Sequence, residues 1–223
     1  MKSVRNDYRA LLALLWPLAM VVLVISASTL AACSGSGRDA YEETFDEEGT
    51  WGTGSSPDVE GQVVDGVYEL FVKSNQGVYM ATAGQSFADG VYEVDATQIE
   101  GPLNNGYGLL FRVDESDDSF YALEVSGDGY IWIGYCSALC ESEADALVGG
   151  DWFRSPAVKT GLQETNNLKA IVDGGRMTFF VNGLEVGRAV DDRLAQGDVA
   201  VMVEALGQPG IRVIFDDFSY TPQ

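Results

Sequence analysis

The chain of 223 residues contains no histidine. That absence removes the Ser-His-Asp and Cys-His arrangements of nucleophilic catalysis, and with them any imidazole ligand for zinc. Cysteine is scarce, with three residues at Cys33, Cys136 and Cys140, so a four-cysteine zinc site is excluded too. Basic charge is short: 13 Lys and Arg stand against 34 Asp and Glu, a net charge of −21. So much negative charge repels phosphate backbones and anionic lipid surfaces, which excludes nucleic acid as a partner. Solubility outside the cell accounts for such acidity more simply than a dedicated acidic site does. Sustained helical spacing is missing as well, and no glycine-rich nucleotide loop is present.

What is there begins at the N-terminus. Lys2, Arg5 and Arg9 precede an uncharged apolar run over 10–25, and small and hydroxyl residues then lead to Leu30-Ala31-Ala32-Cys33. A basic start, an apolar middle and a small-residue exit make a secretory signal peptide over 1–32. Leu-Ala-Ala-Cys is similar to the lipobox of bacterial lipoproteins, which implies that Cys33 carries the lipid and opens the mature protein. The alternative is an uncleaved membrane helix over 10–32, which Pro17, Ser26, Ser28 and Thr29 weaken. Both place the remainder outside the membrane, at the outer face of the cell envelope. Three basic residues and Asp7 fall before Cys33, so the mature part carries a net charge of about −23.

Residues 33–40 then read as the lipidated cysteine and a flexible Ser/Gly tether. Residues 41–223 read as one domain, long enough for a single sizeable core. Short β-branched and aromatic runs separated by Gly, Asp and Asn predict strands over 61–64, 67–73, 78–83, 91–100, 106–113, 120–126 and 130–136. They continue over 168–173, 177–181, 184–190, 199–205 and 211–220, with single helical turns expected over 142–147 and 191–195. Such spacing argues for a sandwich of two antiparallel sheets. Asn182-Gly183 is a strong hairpin signal, and Asp173-Gly174-Gly175 supplies another. The run Ser126-Gly127-Asp128-Gly129 suits a three-residue loop with Gly129 left-handed, which sets Val125 against Ile131 and Glu124 against Trp132.

With period two, Leu109, Phe111 and Val113 share the core face with Tyr121, Leu123, Val125, Ile131, Ile133 and Tyr135. The opposite face carries Leu110, Arg112, Phe120, Ala122, Glu124, Tyr130 and Trp132. Rings beside a cation and a carboxylate suit a sugar, whose apolar face stacks on aromatics while its hydroxyls find charged groups. Arg112, Phe120, Glu124, Tyr130 and Trp132 are therefore carbohydrate-binding candidates, with Trp152 in the following loop. The competing reading makes these aromatics ordinary packing residues. Cys136 and Cys140, spaced C-x3-C in an exported setting, predict a short-loop disulfide.

The order of motifs resembles the concanavalin A-like jelly-roll domains of bacterial secreted proteins, a group that includes laminin-G-like domains and the domain associated with 3-keto-disaccharide hydrolases. It runs from Glu43-Thr44-Phe45-Asp46 and Trp51 through Gly106–Arg112, Phe120-Tyr121 and Ser126–Tyr130. Asn167, Asp173-Gly174, Phe180–Gly183, Gly197-Asp198 and Phe215–Phe218 continue it. The resemblance implies adjacent N- and C-terminal strands, carbohydrate as partner and a structural calcium ion as the only cofactor. Calcium needs six to eight oxygen ligands, and Glu43, Asp46, Asp216 and Asp217 are the candidates where the terminal strands meet. Catalysis has little support: Glu93-Val94-Asp95 puts two acids on one strand face, but Thr97 stands where a third acid completes the jelly-roll glucanase pattern. The expected function is non-catalytic carbohydrate binding by a cell-surface lipoprotein. The rivals are a glycoside or keto-disaccharide hydrolase, which needs a buried carboxylate pair in a cleft, and a structural or protein-docking module of the envelope.

Overall fold

The computed structural model describes residues 39–223, which belong to one compact unit. The signal peptide and the lipidation at Cys33 lie outside the described residues. Among those described there is no helix. The strands are β1 (Tyr41–Glu43), β2 (Gly54–Ser55), β3 (Val59–Val64), β4 (Val67–Val72), β5 (Gln76–Thr82) and β6 (Gly90–Glu100). Then come β7 (Gly106–Asp114), β8 (Ser119–Ser126), β9 (Tyr130–Ser137), β10 (Glu143–Ala146) and β11 (Phe153–Arg154). The last are β12 (Thr165–Asp173), β13 (Arg176–Val181), β14 (Leu184–Val190), β15 (Asp198–Leu206) and β16 (Ile211–Pro222).

They form two antiparallel sheets. One runs β14-β13-β12-β6-β16-β4-β3-β2, with β1 beside β16, so the terminal strands pair as expected: Glu43 lies opposite Phe218. The other runs β10-β9-β8-β7-β15-β5, with β11 on the edge of β9. Between them lies one core in which Leu109, Phe111, Tyr121, Leu123, Val125, Ile131 and Ile133 face Tyr92, Val94, Leu168, Phe179 and Phe215. Removing this much apolar surface from water, at about 25 cal/mol per Å2, is what holds the layers together.

Turn chemistry sets the register. Asn182 and Gly183 both take positive φ (51° and 76°), the type I′ geometry that follows the strands' twist. Gly129 is left-handed at 99°, its N–H donates to Ser126 O at 3.0 Å, and Val125–Ile131 and Glu124–Trp132 face each other as the loop predicts.

Three expectations need correction. Residues 143–146 form β10, because their backbone completes the edge of β9 and no apolar face favours a helix. Residues 191–195 form an irregular, bent segment rather than a helix, because the Asp191 carboxylate accepts the Arg193 N–H at 3.0 Å, a local bond that competes with helical bonding. In β7, Arg112 is an extra residue with φ 53°, and the register shifts against both β8 and β15. That bulge ends the period-two alternation, so Val113 lies on the outer face rather than in the core between the sheets.

Candidate functional site

The two outer faces differ in chemistry. On the sheet containing β6 the face is a lattice of ion pairs: Lys169–Glu93 at 2.8 Å, and Arg212 with Glu69 at 2.5 Å and Glu100 at 3.3 Å. Glu93 and Asp95, the two acids on one strand face, are held there by Lys169 and by Asn167 Nδ2 at 2.8 Å. The outer face of the other sheet is apolar and aromatic, with Leu110, Phe120, Ala122, Trp132, Ala200 and Met202 packed together.

Register builds this second face row by row. Ala200, Leu110, Ala122 and Gly134 lie side by side across β15, β7, β8 and β9. The next row is Met202, Gly108, Glu124 and Trp132, and the one after it brings Glu204 beside Gly106. Small residues make the floor and large ones its sides. A methyl group on Gly106 would collide with Glu124 Oε2 and lie 3.2 Å from Trp152 Cη2 and 3.3 Å from Glu204 Cβ. A methyl on Gly134 would strike the Trp132 indole, whose Cζ2 is 2.5 Å from that point. Glycine at both positions therefore lets the side chains of this face lie down against the sheet.

Two carboxyl groups meet over Gly106. Glu124 is 2 % exposed and its Oε2 has no hydrogen-bond partner. Burial, reinforced by the charge of Glu204, pushes its pKa well above the ordinary glutamate value. Burial pushes Glu204 up to about 6. Placing two like charges in one desolvated site disfavours ionising both, so the pair keeps a proton that either carboxyl alone in water would release.

Of the six carbohydrate candidates, the structure brings Glu124, Trp132, Trp152 and Tyr130 to this face. Tyr130, at its end, is 37 % exposed. Two candidates fall away. Phe120 is fully buried opposite Cys136, a packing ring with no surface for a ligand. Arg112 is also buried: Nη2 pairs with Asp89 at 2.5 Å and Nη1 donates to Leu194 O at 2.8 Å. The bulge at Arg112 sends its side chain there instead of to Glu124. Arg112 instead lines a cleft of about 920 Å3 with Ser86, Phe87, Asp89, Asp192 and Leu194. That cleft and the aromatic face do not share a residue.

Glu204 was missed by sequence reasoning. The available signal is one acid in the otherwise apolar run Val199–Ala205, on the strand face of Ala200 and Met202. The Cys136–Cys140 disulfide is formed as predicted, and Leu139 and Cys140 pack against the edge of the aromatic face. The calcium set does not assemble. Asp46 lies near enough to Asp216 to help raise its pKa, after burial and the neighbouring Asp217 and Asp95. Glu43 is occupied by Phe45 N–H at 3.0 Å, Asp46 by Thr44 Oγ1 at 2.8 Å, and Asp216 by Asp217 N–H at 2.8 Å. Among the described residues no group of three or more acidic or cysteine side chains is placed to hold a metal ion.

Sheet order and the faces of the sandwich define a concanavalin A-like jelly roll, and solved structures bear this out. The carbohydrate binding module CBM66 from Bacillus subtilis is similar with a TM-score of 0.61 at 16 % identity, over 78 % of this chain and 96 % of that one. A Bacillus licheniformis β-glucanase gives 0.63 at 12 % identity, over 85 % and 100 %. A prokaryotic β-1,3-1,4-glucanase (lichenase) derived from a mouse hindgut metagenome gives 0.58 at 12 %, over 82 % and 99 %. At these identities the likeness is one of fold. No family model and no curated protein matches the chain.

Proposed function

We propose that the domain binds a neutral carbohydrate chain on the outer face of the β5–β10 sheet. The observation that carries this reading is the convergence of Trp132, Trp152 and two carboxyl groups on a strip floored by Gly106, Gly108 and Gly134. Indole faces supply stacking surface for sugar rings, and carboxyl groups supply hydroxyl partners that specify orientation. The fold neighbours include a protein named as a carbohydrate binding module and others named as glucanases, which supports the ligand class. Neutral glycans fit because a chain of net charge −21 repels polyuronates and sulfated polymers. The domain works outside the cell membrane, tethered through a lipid on Cys33. The Leu-Ala-Ala-Cys sequence supports that attachment, and the Cys136–Cys140 disulfide supports an oxidising compartment.

The test is a glycan array probed with the chain from Arg38 onward, followed by titration of any polysaccharide bound. Saturable binding to a neutral glycan is expected, weakened at least tenfold in Trp152→Ala, a half-buried position whose truncation leaves the core intact. Trp132→Ala is expected to weaken it as well, at a larger cost in stability because that ring is 8 % exposed. A folded protein that binds no glycan, or binds with the same affinity in both variants, overturns this reading in favour of an envelope-docking module.

A further inference from the structure

The bulge that takes Arg112 away from Glu124 delivers it to a cleft that the aromatic strip does not use. Arg112 holds φ 53°, a left-handed conformation uncommon outside glycine, and is 1 % exposed. A bulge re-aims a side chain, and this one sets a guanidinium in the wall of the cleft of about 920 Å3. Nη1 and Nη2 are engaged by Leu194 O and Asp89, but Nε is buried with no hydrogen-bond partner, a donor that a ligand oxygen can satisfy. The segments around it are tied together, so the cleft is preformed. Tyr220 Oη donates to Asp89 O at 2.8 Å and Tyr92 Oη donates to Ala88 O. Phe87 and Gly197 exchange backbone bonds at 2.7 and 3.0 Å, and the Asp191 N–H donates to Gly175 O at 2.8 Å.

Charge selects the ligand. Asp89, whose side chain is 42 % exposed, and the exposed Asp192 share the lining with Arg112. An anion would meet two carboxylates there, and a cation would meet the guanidinium. A neutral polyol meets neither repulsion: its oxygens accept from Arg112 and its hydroxyls donate to the carboxylates. Phe87, Leu194 and Pro222 add apolar surface for ring carbons. We propose that this cleft is a second glycan site, separate from the aromatic strip, and that it takes the terminal sugar of a chain. That it takes a polyol rests on its own residues; that the polyol is a glycan rests on the carbohydrate-binding reading above. An end unit can reach a guanidinium so deeply set, whereas an internal unit continues as chain on both sides and is held off. The strip on the sheet face suits internal units instead. Because the two sites share no residue, one domain engages two chains or two parts of one, and effective concentration holds it to a polysaccharide more tightly than either site alone.

The experiment titrates the chain from Arg38 onward with hexasaccharides of β-1,4-glucan, β-1,3-glucan, xylan, mannan and fructan, and counts sites by calorimetry and equilibrium dialysis. Two moles bound per mole of protein are expected for the sugar recognised. One should remain in Trp152→Ala and one in Ala195→Trp, whose indole fills the cleft from an exposed position, with none left in the double variant. Arg112→Gln should weaken the cleft site about tenfold or more, and should that variant fail to fold, Ala195→Trp carries the test. In Trp152→Ala, binding to equal masses of polysaccharide should fall in proportion to chain length, as ends become rarer. One site, lost in Trp152→Ala and kept in Ala195→Trp, overturns the cleft and leaves the strip standing. One site, kept in Trp152→Ala and lost in Ala195→Trp, overturns the strip and supports the cleft. A single site lost in both variants overturns the separation of the two, and no binding at all overturns both. Cleft binding that does not depend on chain length overturns the terminal-sugar assignment.

Discussion

Residue 204 lies between Val203 and Ala205, both buried, and its carboxyl shares a desolvated site with Glu124. The consequence for stability has a definite sign. With its folded-state pKa raised to about 6, Glu204 binds its proton more tightly in the native protein than in the unfolded chain. Stability is therefore highest below the unfolded value, falls as pH rises through about 6, and levels off above. A rise of about 1.5 pH units corresponds to about 2 kcal/mol lost at pH 8. Glu204→Gln removes the buried charge, so at pH 8 the variant should melt about 4–8 °C above wild type. The two melting curves should converge near pH 4. Thermal unfolding monitored by near-ultraviolet circular dichroism from pH 4 to 8 measures this, and a variant less stable than wild type at pH 8 contradicts a desolvated carboxylate at this position.

At the scale of elements, the hairpin between β13 and β14 joins turn conformation to a polar anchor. Asn182 holds φ 51° while Nδ2 donates to Ala157 O and to Asn166 Oδ1, each at 2.8 Å. Its Oδ1 accepts the Asn167 N–H at 3.0 Å. Asn182→Gly keeps the backbone conformation and loses the bonds, an expected cost of about 2 kcal/mol at about 1 kcal/mol per net bond with partial replacement by water. Asn182→Ala adds the left-handed penalty, about 1 kcal/mol more. Urea denaturation should rank wild type above Gly above Ala, and equal costs for the two variants would remove the backbone component. The same comparison shows why most of this fold was legible. All twelve expected strands form, because alternating apolar residues and turn dipeptides act locally and agree with the global pairing. The four strands without a strand range in the sequence reading, β1, β2, β10 and β11, are two to four residues long and owe their conformation to a neighbour's edge. Half of the face was legible for the same reason: the Gly129 turn fixes Glu124 beside Trp132. The bulge at Arg112 was not, since a one-residue insertion leaves no trace in period-two patterning and moves an arginine from one side of the sheet to a different cleft. Glu204 was not legible as a partner of Glu124 because their meeting depends on strand order, β8-β7-β15, which no local pattern encodes.

Over the whole molecule, most basic side chains of the described residues are already committed to ion pairs. Lys73, Arg112, Lys169, Arg188, Arg193 and Arg212 each hold at least one carboxylate within 4 Å. Arg193 alone binds Glu143, Asp145 and Asp191 and stacks on Tyr135 with its guanidinium 4.0 Å from the ring centre. The remaining acids repel one another and project a negative field over the aromatic face. Salt acts on both terms in opposite directions. It weakens exposed pairs worth about 0–1 kcal/mol each, and it shortens the reach of the repulsion from a Debye length of about 30 Å at 0.01 M to about 3 Å at 1 M. With 34 acids against 13 bases the repulsion is the larger sum, so melting temperature should rise between these concentrations. The same field distinguishes ligands. A neutral glycan carries no charge for it to act on, so its affinity should stay within about twofold across that range, whereas a polyuronate gains affinity as screening removes the repulsion. Titrating neutral β-glucan and polygalacturonate at 0.01 and 1 M NaCl separates the two. A polyuronate bound more tightly at low salt than at high salt would require a local cationic patch on this face, and the one arginine the sequence offered for that role is turned away from it and paired with Asp89.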